Sequence, residues 1–313
     1  MGTPVQSEFE IRVPASIANL GPGFDTLAVA VQLYLSLRVR VLDEDQPALR
    51  FKFVDQVLQG ENYIERAFQF LARQASAKLP SLEVEVRSEI PMRSGLGSSA
   101  AAVVAGIRLF DAVAGPLSPN QMLNAATALE GHPDNVAAAL LGGMTSSCEL
   151  PDGSATAVQF RWPDGLQFIV ITPEFGLSTA SARQVLPSHV ARNDAVYNLQ
   201  RIVLLVNSLQ CENYSLLREA LQDRLHQPYR QSLVPGLEDL LHLEHPDLLG
   251  VCLSGAGPSI VGFAQKNVET VAALLAKLYA RTRLKYCVRI LRAHQLAISP
   301  SIQLLEQAAR SDH

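Results

Sequence analysis

The sequence predicts an α+β protein in which helices cover antiparallel sheet. Short runs alternating apolar and polar residues recur at 9–13, 35–41 and 82–86, longer runs with helical spacing stand at 62–78 and 193–209, and strand and helix do not alternate one for one as in a parallel sheet. In chain order, 9–13 alternates, 14–25 reads as loop, and 35–41 alternates again with Arg38 and Arg40 facing out, which starts an antiparallel sheet. Residues 62–78 place Ile64, Ala67, Phe68, Leu71 and Ala75 on one helical face, and 82–86 is a strand leading into a Gly-Ser loop. An apolar helix leaves that loop and stops at Gly115-Pro116. Ser118, Pro119 and Gln121 give the next helix a cap, a first-turn proline and a glutamine three residues beyond the cap, and it runs to about Glu130. Asp134 is expected to cap a short alanine-rich helix that ends at Gly142-Gly143, with 144–148 as strand.

Pro151-Asp152-Gly153-Ser154 is a turn and 168–172 a short buried strand, so a boundary is expected near 150–170, dividing the chain into 1–160 and 161–313. The second part carries helices at 193–209, 214–222, 237–243 and 268–283, a strand pair flanking 254–259, and a strand at 286–291. Residues 308–313 form a polar tail.

With 313 residues, 48% of them hydrophobic and 18% charged, the chain suits one large or two moderate domains. The formal charge of -4 and scattered arginines leave no basic stripe for nucleic acid. No run approaches the roughly 18 apolar residues of a membrane span, and 1–10 has no leader pattern, so a cytoplasmic protein without membrane partners is the expectation. Cys148, Cys211, Cys252 and Cys287 are far apart, and reduced, mostly buried thiols are expected in place of a disulfide frame or zinc site.

Residues 91–102 read Pro-Met-Arg-Ser-Gly-Leu-Gly-Ser-Ser-Ala-Ala-Ala and lead into the apolar helix. Gly95 and Gly97 can take dihedrals closed to other residues and let amides approach an anion, while Ser98 and Ser99 stand where the helix begins. An oxyanion there meets unpaired amides and the positive end of a helix dipole. No lysine lies between Lys78 and Lys266, so backbone and dipole must do most of the neutralising.

Three separated segments agree: 14–25 (Pro-Ala-Ser-Ile-Ala-Asn-Leu-Gly-Pro-Gly-Phe-Asp), the loop at 91–101, and 253–259 (Leu-Ser-Gly-Ala-Gly-Pro-Ser). In order and spacing they resemble the three signature motifs of the superfamily of galactokinase, homoserine kinase, mevalonate kinase and phosphomevalonate kinase, and Asn19 to Asp25 resembles the homoserine kinase form of the first motif. The resemblance covers nearly the whole chain. It implies a ribosomal-S5-domain-2-like N-terminal domain followed by a ferredoxin-like C-terminal domain, with nucleotide binding in the first and the substrate cleft completed by the second. One departure is Ile17, where the family usually shows Ser or Thr.

The implied reaction is ATP-dependent phosphorylation of the side-chain hydroxyl of L-homoserine, with Mg²⁺ as cofactor. Pro91, Arg93, Ser94, Gly95, Leu96, Gly97, Ser98, Ser99, Ala100 and Ala101 would hold the nucleotide, with Gly257 near the phosphates and Asn62 beside the adenine. Glu130 and a hydroxyl of Ser98 or Ser99 would hold Mg²⁺. A zwitterionic acceptor needs anions for its amine and guanidinium forks for its carboxylate. Asp25 and Asp134 are the candidates for the ammonium group. By resemblance, Thr179, Arg183 and Arg230 stand at the carboxylate, with Asn19, His132, Asn135 and Gly255 around the acceptor.

Asn19, Asp134, Asn135 and Arg183 form the expected catalytic set. No strong general base stands out, and a loose transition state gains little from one, so the hydroxyl proton is expected to pass to a phosphate oxygen. Two alternatives remain open: a same-fold kinase for another small hydroxy acid or alcohol, and a catalytically silent ligand sensor. A homodimer is also left open.

Overall fold

The computed structural model describes residues 8–43, 48–54, 60–75 and 79–295. The polar tail at 308–313 and the end of the first expected helix at 76–78 lie outside them.

The chain opens with β1 (Glu8–Ala18), paired antiparallel along β2 (Leu27–Leu42). Residues 14–18 are therefore strand, where loop was expected. The pairing register shifts between Pro14 and Ala15, a bulge that accommodates a residue with no N–H, and Ala15, Ile17 and Ala18 beyond it are fully buried. β3 (Leu49–Phe53) lies parallel to β4 (Ser81–Ser88), joined through α1 (Tyr63–Ala72), and β4 pairs antiparallel with the far half of β2. α2 (Ser98–Ala114), α3 (Pro119–Glu130) and α4 (Asp134–Leu141) follow. α2 and α4 lie against β1 and β2, so Val103, Val104, Ile107 and Val136 share one apolar core with Val13, Ile17, Val29 and Leu37. The capping box of Ser118 and Gln121 forms on α3 as expected. Asp134 is the first residue inside α4, and Pro133 holds the cap position. β5 (Met144–Glu149) pairs with the start of β2, and β6 (Ala155–Phe160) completes a six-stranded sheet.

The second sheet starts with β7 (Gln167–Pro173). α5 (Thr179–Gln184), α6 (Arg192–Gln210), α7 (Leu217–Ala220), α8 (Gln227–Arg230) and α9 (Leu237–Leu241) precede β8 (Gly250–Leu253). β9 (Ile260–Ala264), α10 (Val268–Tyr279) and β10 (Tyr286–Leu291) complete it. The strands run antiparallel in the order β10-β7-β9-β8, so the first and third in sequence lie at the centre, the ferredoxin-like arrangement. The expected helix at 214–222 is a 3₁₀ turn followed by the single turn of α7.

After β10 the chain returns to the first sheet, where His294 N donates to Ala30 O and Gly143 N to His294 O, at 2.8 and 2.6 Å. The two sheets are thereby tied together. The cysteines depart from expectation: Cys252 is buried, but Cys148, Cys211 and Cys287 are exposed. Cys148 and Cys287 stand at solvent-facing positions of their strands, and Cys211 caps α6.

Candidate active site

The three motifs meet at the cleft by direct main-chain contact. Ser16 N donates to Leu96 O at 3.1 Å, joining the first motif to the second, and Gly255 N donates to Ala18 O at 3.0 Å, joining the third to the first. Ser254 Oγ donates to Gly95 O at 2.6 Å, and Ser259 N to Ser94 O at 3.0 Å, which closes the ring. Gly95 and Gly97 have φ of 80° and 69°, in the left-handed region. A Cβ on Gly95 would lie 2.4 Å from Ser254 O, and one on Gly97 would lie 2.1 Å from Ser16 Oγ. Only glycine meets both demands.

α2 starts at Ser98 with Gly97 as its cap residue and no side chain bonded to its first-turn amides. An open first turn of a 17-residue helix, facing a cleft that Gly95, Gly97, Ser98 and Ser99 line, is an anion seat. Arg93 lines the same end and is exposed. Leu96, Ala100 and Ala101 are buried beneath the loop and support it from below. Pro91 holds its near end, its carbonyl accepting from Ser94 Oγ at 2.8 Å.

The cleft has a volume of about 500 Å³ and spans both sheets. Its outer end is apolar, lined by Leu35, Phe53, Tyr63, Val86 and Met92, and suits a planar base. Glu61 and Tyr63 line this end but Asn62 between them does not, and its side-chain oxygen is engaged as the cap of α1, accepting from Ile64 N and Glu65 N at 3.2 and 3.3 Å. The apolar wall carries no motif: Leu35 and Val86 are ordinary strand residues in sequence, and nothing but the fold marks them.

Between the ends, Ser99 Oγ donates to Glu130 Oε1 at 2.5 Å. Burial raises the Glu130 carboxyl above the ordinary carboxylate range, against the lowering effect of the Ser99 bond and of His132. A desolvated carboxylate beside a hydroxyl and an anion seat fits a hard divalent cation that takes its remaining ligands from phosphate oxygens. Among the described residues, no group of three or more His, Cys, Asp or Glu side chains is placed to hold a metal ion.

The inner end is made of side-chain charge. Arg183 grips Asp25 with two bonds, Nη1 to Oδ2 at 2.9 Å and Nη2 to Oδ1 at 2.8 Å. Asp134 is buried, and its Oδ1 accepts from His132 Nδ1, Asn135 N and Asn135 Nδ2, so Oδ2 is the oxygen without a protein partner among the described residues. Burial opposes the charged form of His132, yet the Asp134 carboxylate and Glu130 outweigh it and raise the imidazole pKa. Asn19 Nδ2 donates to Gly255 O at 3.0 Å and its Oδ1 accepts from Asp25 N at 3.1 Å, while Asn135 Oδ1 accepts from Ser16 Oγ at 2.7 Å. Arg230 is buried and lines the cleft with Thr179, Gly255 and Gly257. Its pKa is lowered to about 10, by burial first and by the neighbouring Arg183 second. Ile17 does not reach the cleft: it is buried in the core opposite Val29, so its departure from the family pattern alters packing and leaves the lining unchanged.

The profile of the GHMP kinases N terminal domain matches residues 62–143, and that of the GHMP kinases C terminal matches 202–281. A homoserine kinase of Solibacter usitatus is 40% identical over 279 residues, which is 87% of this chain and 90% of the relative. The chain belongs to the homoserine kinase family of the GHMP kinases. Another member, from Saccharomyces cerevisiae, is 34% identical over 90% of this chain and 96% of its own. The crystal structure of homoserine kinase from Cytophaga hutchinsonii superposes with a TM-score of 0.81 at 25% identity, covering 95% of this chain and 98% of that one. A mevalonate kinase from L. major, at 16% identity and a TM-score of 0.71, shares the fold. As a GHMP kinase of this family, the chain is an ATP-dependent enzyme with a small-molecule substrate. No helix among the described residues is long and apolar enough to cross a membrane.

Sequence reasoning passed over one cluster at the inner end of this kinase cleft. Asn198, Asp223 and His226 are buried around Arg230. None of them forms a local pattern in sequence, and the His226 partner Gly21 lies 205 residues away.

Proposed function

We propose that this chain transfers the γ-phosphoryl group of ATP to the side-chain hydroxyl of L-homoserine, giving ADP and O-phospho-L-homoserine. One observation carries the reading: a single cleft holds an anion seat of main-chain amides at one end and two carboxylates facing two guanidiniums at the other. The first suits phosphates. The second suits a small guest bearing both an ammonium and a carboxylate group.

In this reading, residues 1–160 hold the nucleotide and 161–313 complete the acceptor side. The loop from Gly95 to Ser99 binds β- and γ-oxygens through its amides, and the apolar wall beside Tyr63 takes the adenine. Glu130 with the hydroxyl of Ser98 or Ser99 would hold Mg²⁺, which supplies charge neutralisation at the phosphate oxygens when bound. Asp134 Oδ2 and Asp25 receive the ammonium group, and Arg183 and Arg230 the carboxylate. Asn19 and Asn135 each keep an amide N–H beyond those spent on protein, and these direct the hydroxyl oxygen at the γ-phosphorus. With Asp134 Oδ2 taken by the ammonium group, the hydroxyl proton passes to a phosphate oxygen as the new bond forms. Cytoplasmic location belongs to the same proposal.

The test is ADP release by purified protein with MgATP, with and without L-homoserine, and identification of the phosphorylated product by ³¹P NMR. A panel of small alcohols with and without the α-amino acid head group runs alongside. Homoserine-dependent ADP release and an O-phosphate product are expected. ADP release that ignores homoserine, or that follows alcohols lacking the head group equally well, refutes the reading.

A further inference from the structure

Behind the inner end of the cleft, Arg230 runs into a buried cluster whose other members the proposed chemistry does not touch. Arg230 is 2% exposed and donates Nε to Ala182 O and Nη1 to Gly255 O, both at 3.1 Å, and its Nη1 also meets His226 Nδ1 at 3.2 Å. Nη2 makes no hydrogen bond among the described residues and is the edge left for the cleft that Arg230 lines.

His226 is fully buried, and its Nε2 lies 2.7 Å from Gly21 O. A carbonyl only accepts, so the proton sits on Nε2 and leaves Nδ1 as a lone pair for Arg230. Burial lowers the His226 pKa most and Arg230 adds to this against the opposing Asp223 carboxylate, which keeps the ring neutral and the lone pair in place. Phe24 stacks on the imidazole at 5.2 Å, and the Arg230 guanidinium lies 5.3 Å from the same Phe24 ring.

The cluster is anchored from below. The Asp223 carboxylate accepts the amides of Leu225, His226 and Gln227 at 2.8, 3.0 and 2.7 Å, and Asn198 Nδ2 at 2.7 Å. Asn198 Nδ2 also donates to Pro22 O at 3.1 Å. Gly21 and Pro22 belong to the loop that carries Asn19 and Asp25, so this loop and Arg230 are fastened to one buried centre from opposite halves of the chain.

We infer that His226 is a positioning residue, bonded to the Gly21 carbonyl on one side and the Arg230 guanidinium on the other, which holds the free edge of Arg230 toward the acceptor's carboxylate. The inference rests on the homoserine reading. An arginine freed from such restraint loses rotamer freedom when it grips a carboxylate, and prior fixation removes that cost. Core filling alone does not require an imidazole whose tautomer offers a lone pair to an arginine.

Two substitutions separate the two bonds. Asn places an acceptor near the position of Nδ1, whereas Gln places a donor near that of Nε2. His226→Gln, which keeps the Gly21 bond and loses the Arg230 bond, is expected to raise the homoserine KM about tenfold with kcat and ATP KM within about twofold, the size of a lost bond to a charged group. His226→Asn is expected to return the homoserine KM to within about threefold of the parent. With 3-aminopropan-1-ol, the same acceptor without its carboxylate, His226→Gln and the parent should have equal kcat/KM. In the unaltered protein, the ¹⁵N signal of His226 Nδ1 should move when homoserine saturates the site and stay put with 3-aminopropan-1-ol, a readout that needs no variant.

An unaltered homoserine KM in His226→Gln, an equal loss with both acceptors, or an unmoved Nδ1 signal overturns the positioning role. A parent enzyme that does not phosphorylate homoserine overturns the functional reading itself, and the two failures are distinct.

Discussion

At the nucleotide end of the cleft, positive potential comes from main-chain amides at the start of α2, and at the acceptor end it comes from Arg183 and Arg230 set against Asp25 and Asp134. The first arrangement is sterically exacting and relies on main-chain amides, with the exposed Arg93 beside them. Its glycines touch neighbouring backbone and side chains where any Cβ would intrude. The second has room for side chains and depends on their signs. A phosphate chain offers many equivalent oxygens, which amides can cradle in any protonation state. A zwitterion offers two opposite charges a few bonds apart, which only placed ionic side chains can tell apart.

Three substitutions sharpen that contrast, in decreasing order of effect. Gly97→Ala sets a Cβ 2.1 Å from Ser16 Oγ and 3.0 Å from Asn135 Oδ1 at a φ of 69°. It is expected to lower kcat on the order of 10³-fold by displacing amides aimed at the phosphates, with both KM values less affected. A steady-state series in both substrates checks this, and a kcat within tenfold of the parent would remove the main-chain account of the nucleotide end.

Arg183→Ala acts on the other end. It is expected to raise the homoserine KM roughly ten- to a hundredfold through loss of a charge-assisted fork, while ATP KM stays within about twofold. Equal rises for both substrates would dissolve the division between the ends.

The smallest effect is a pH dependence. The His132 pKa is raised in the folded state, so its stabilising contribution is fully present below about pH 6.5 and is lost as pH rises through the higher folded value. The melting temperature of the parent should exceed that of His132→Gln by about 1 to 2 °C near pH 6. The gap should close toward alkaline pH. A gap that widens with pH would reverse the sign of the His132–Asp134 interaction.

Much of the nucleotide end was legible in the sequence because its requirements are conformational and local. Gly95 and Gly97 between a strand and a helix, the Ser118–Gln121 cap of α3, and the turn between β8 and β9 each follow from residue types a few positions apart. The continuation of β1 through Pro14 was not legible, since proline and small residues imitate a loop, and only the pairing with β2 and its bulge show otherwise. β3 was missed although Leu-Arg-Phe-Lys-Phe alternates strictly, and β6 because the exposed Val158 and Gln159 break the alternation at the sheet edge. At the acceptor end, family resemblance pointed to Asp25, Asp134 and the two arginines. Local pattern did not point to Asn198, Asp223 or His226, whose meaning lies in contacts spanning up to 205 residues.

The bidentate pairing of Arg183 with Asp25 has a consequence for what the cleft admits. Before any guest arrives, these two groups already cancel one another, so the pair presents little net field for a lone ion to follow. A molecule carrying both signs exchanges partners one for one and leaves none stranded, whereas a simple carboxylic acid or amine must orphan one member of the couple. Admission is thus governed by matched polarity within the guest, and encounter rates should vary only weakly with added salt.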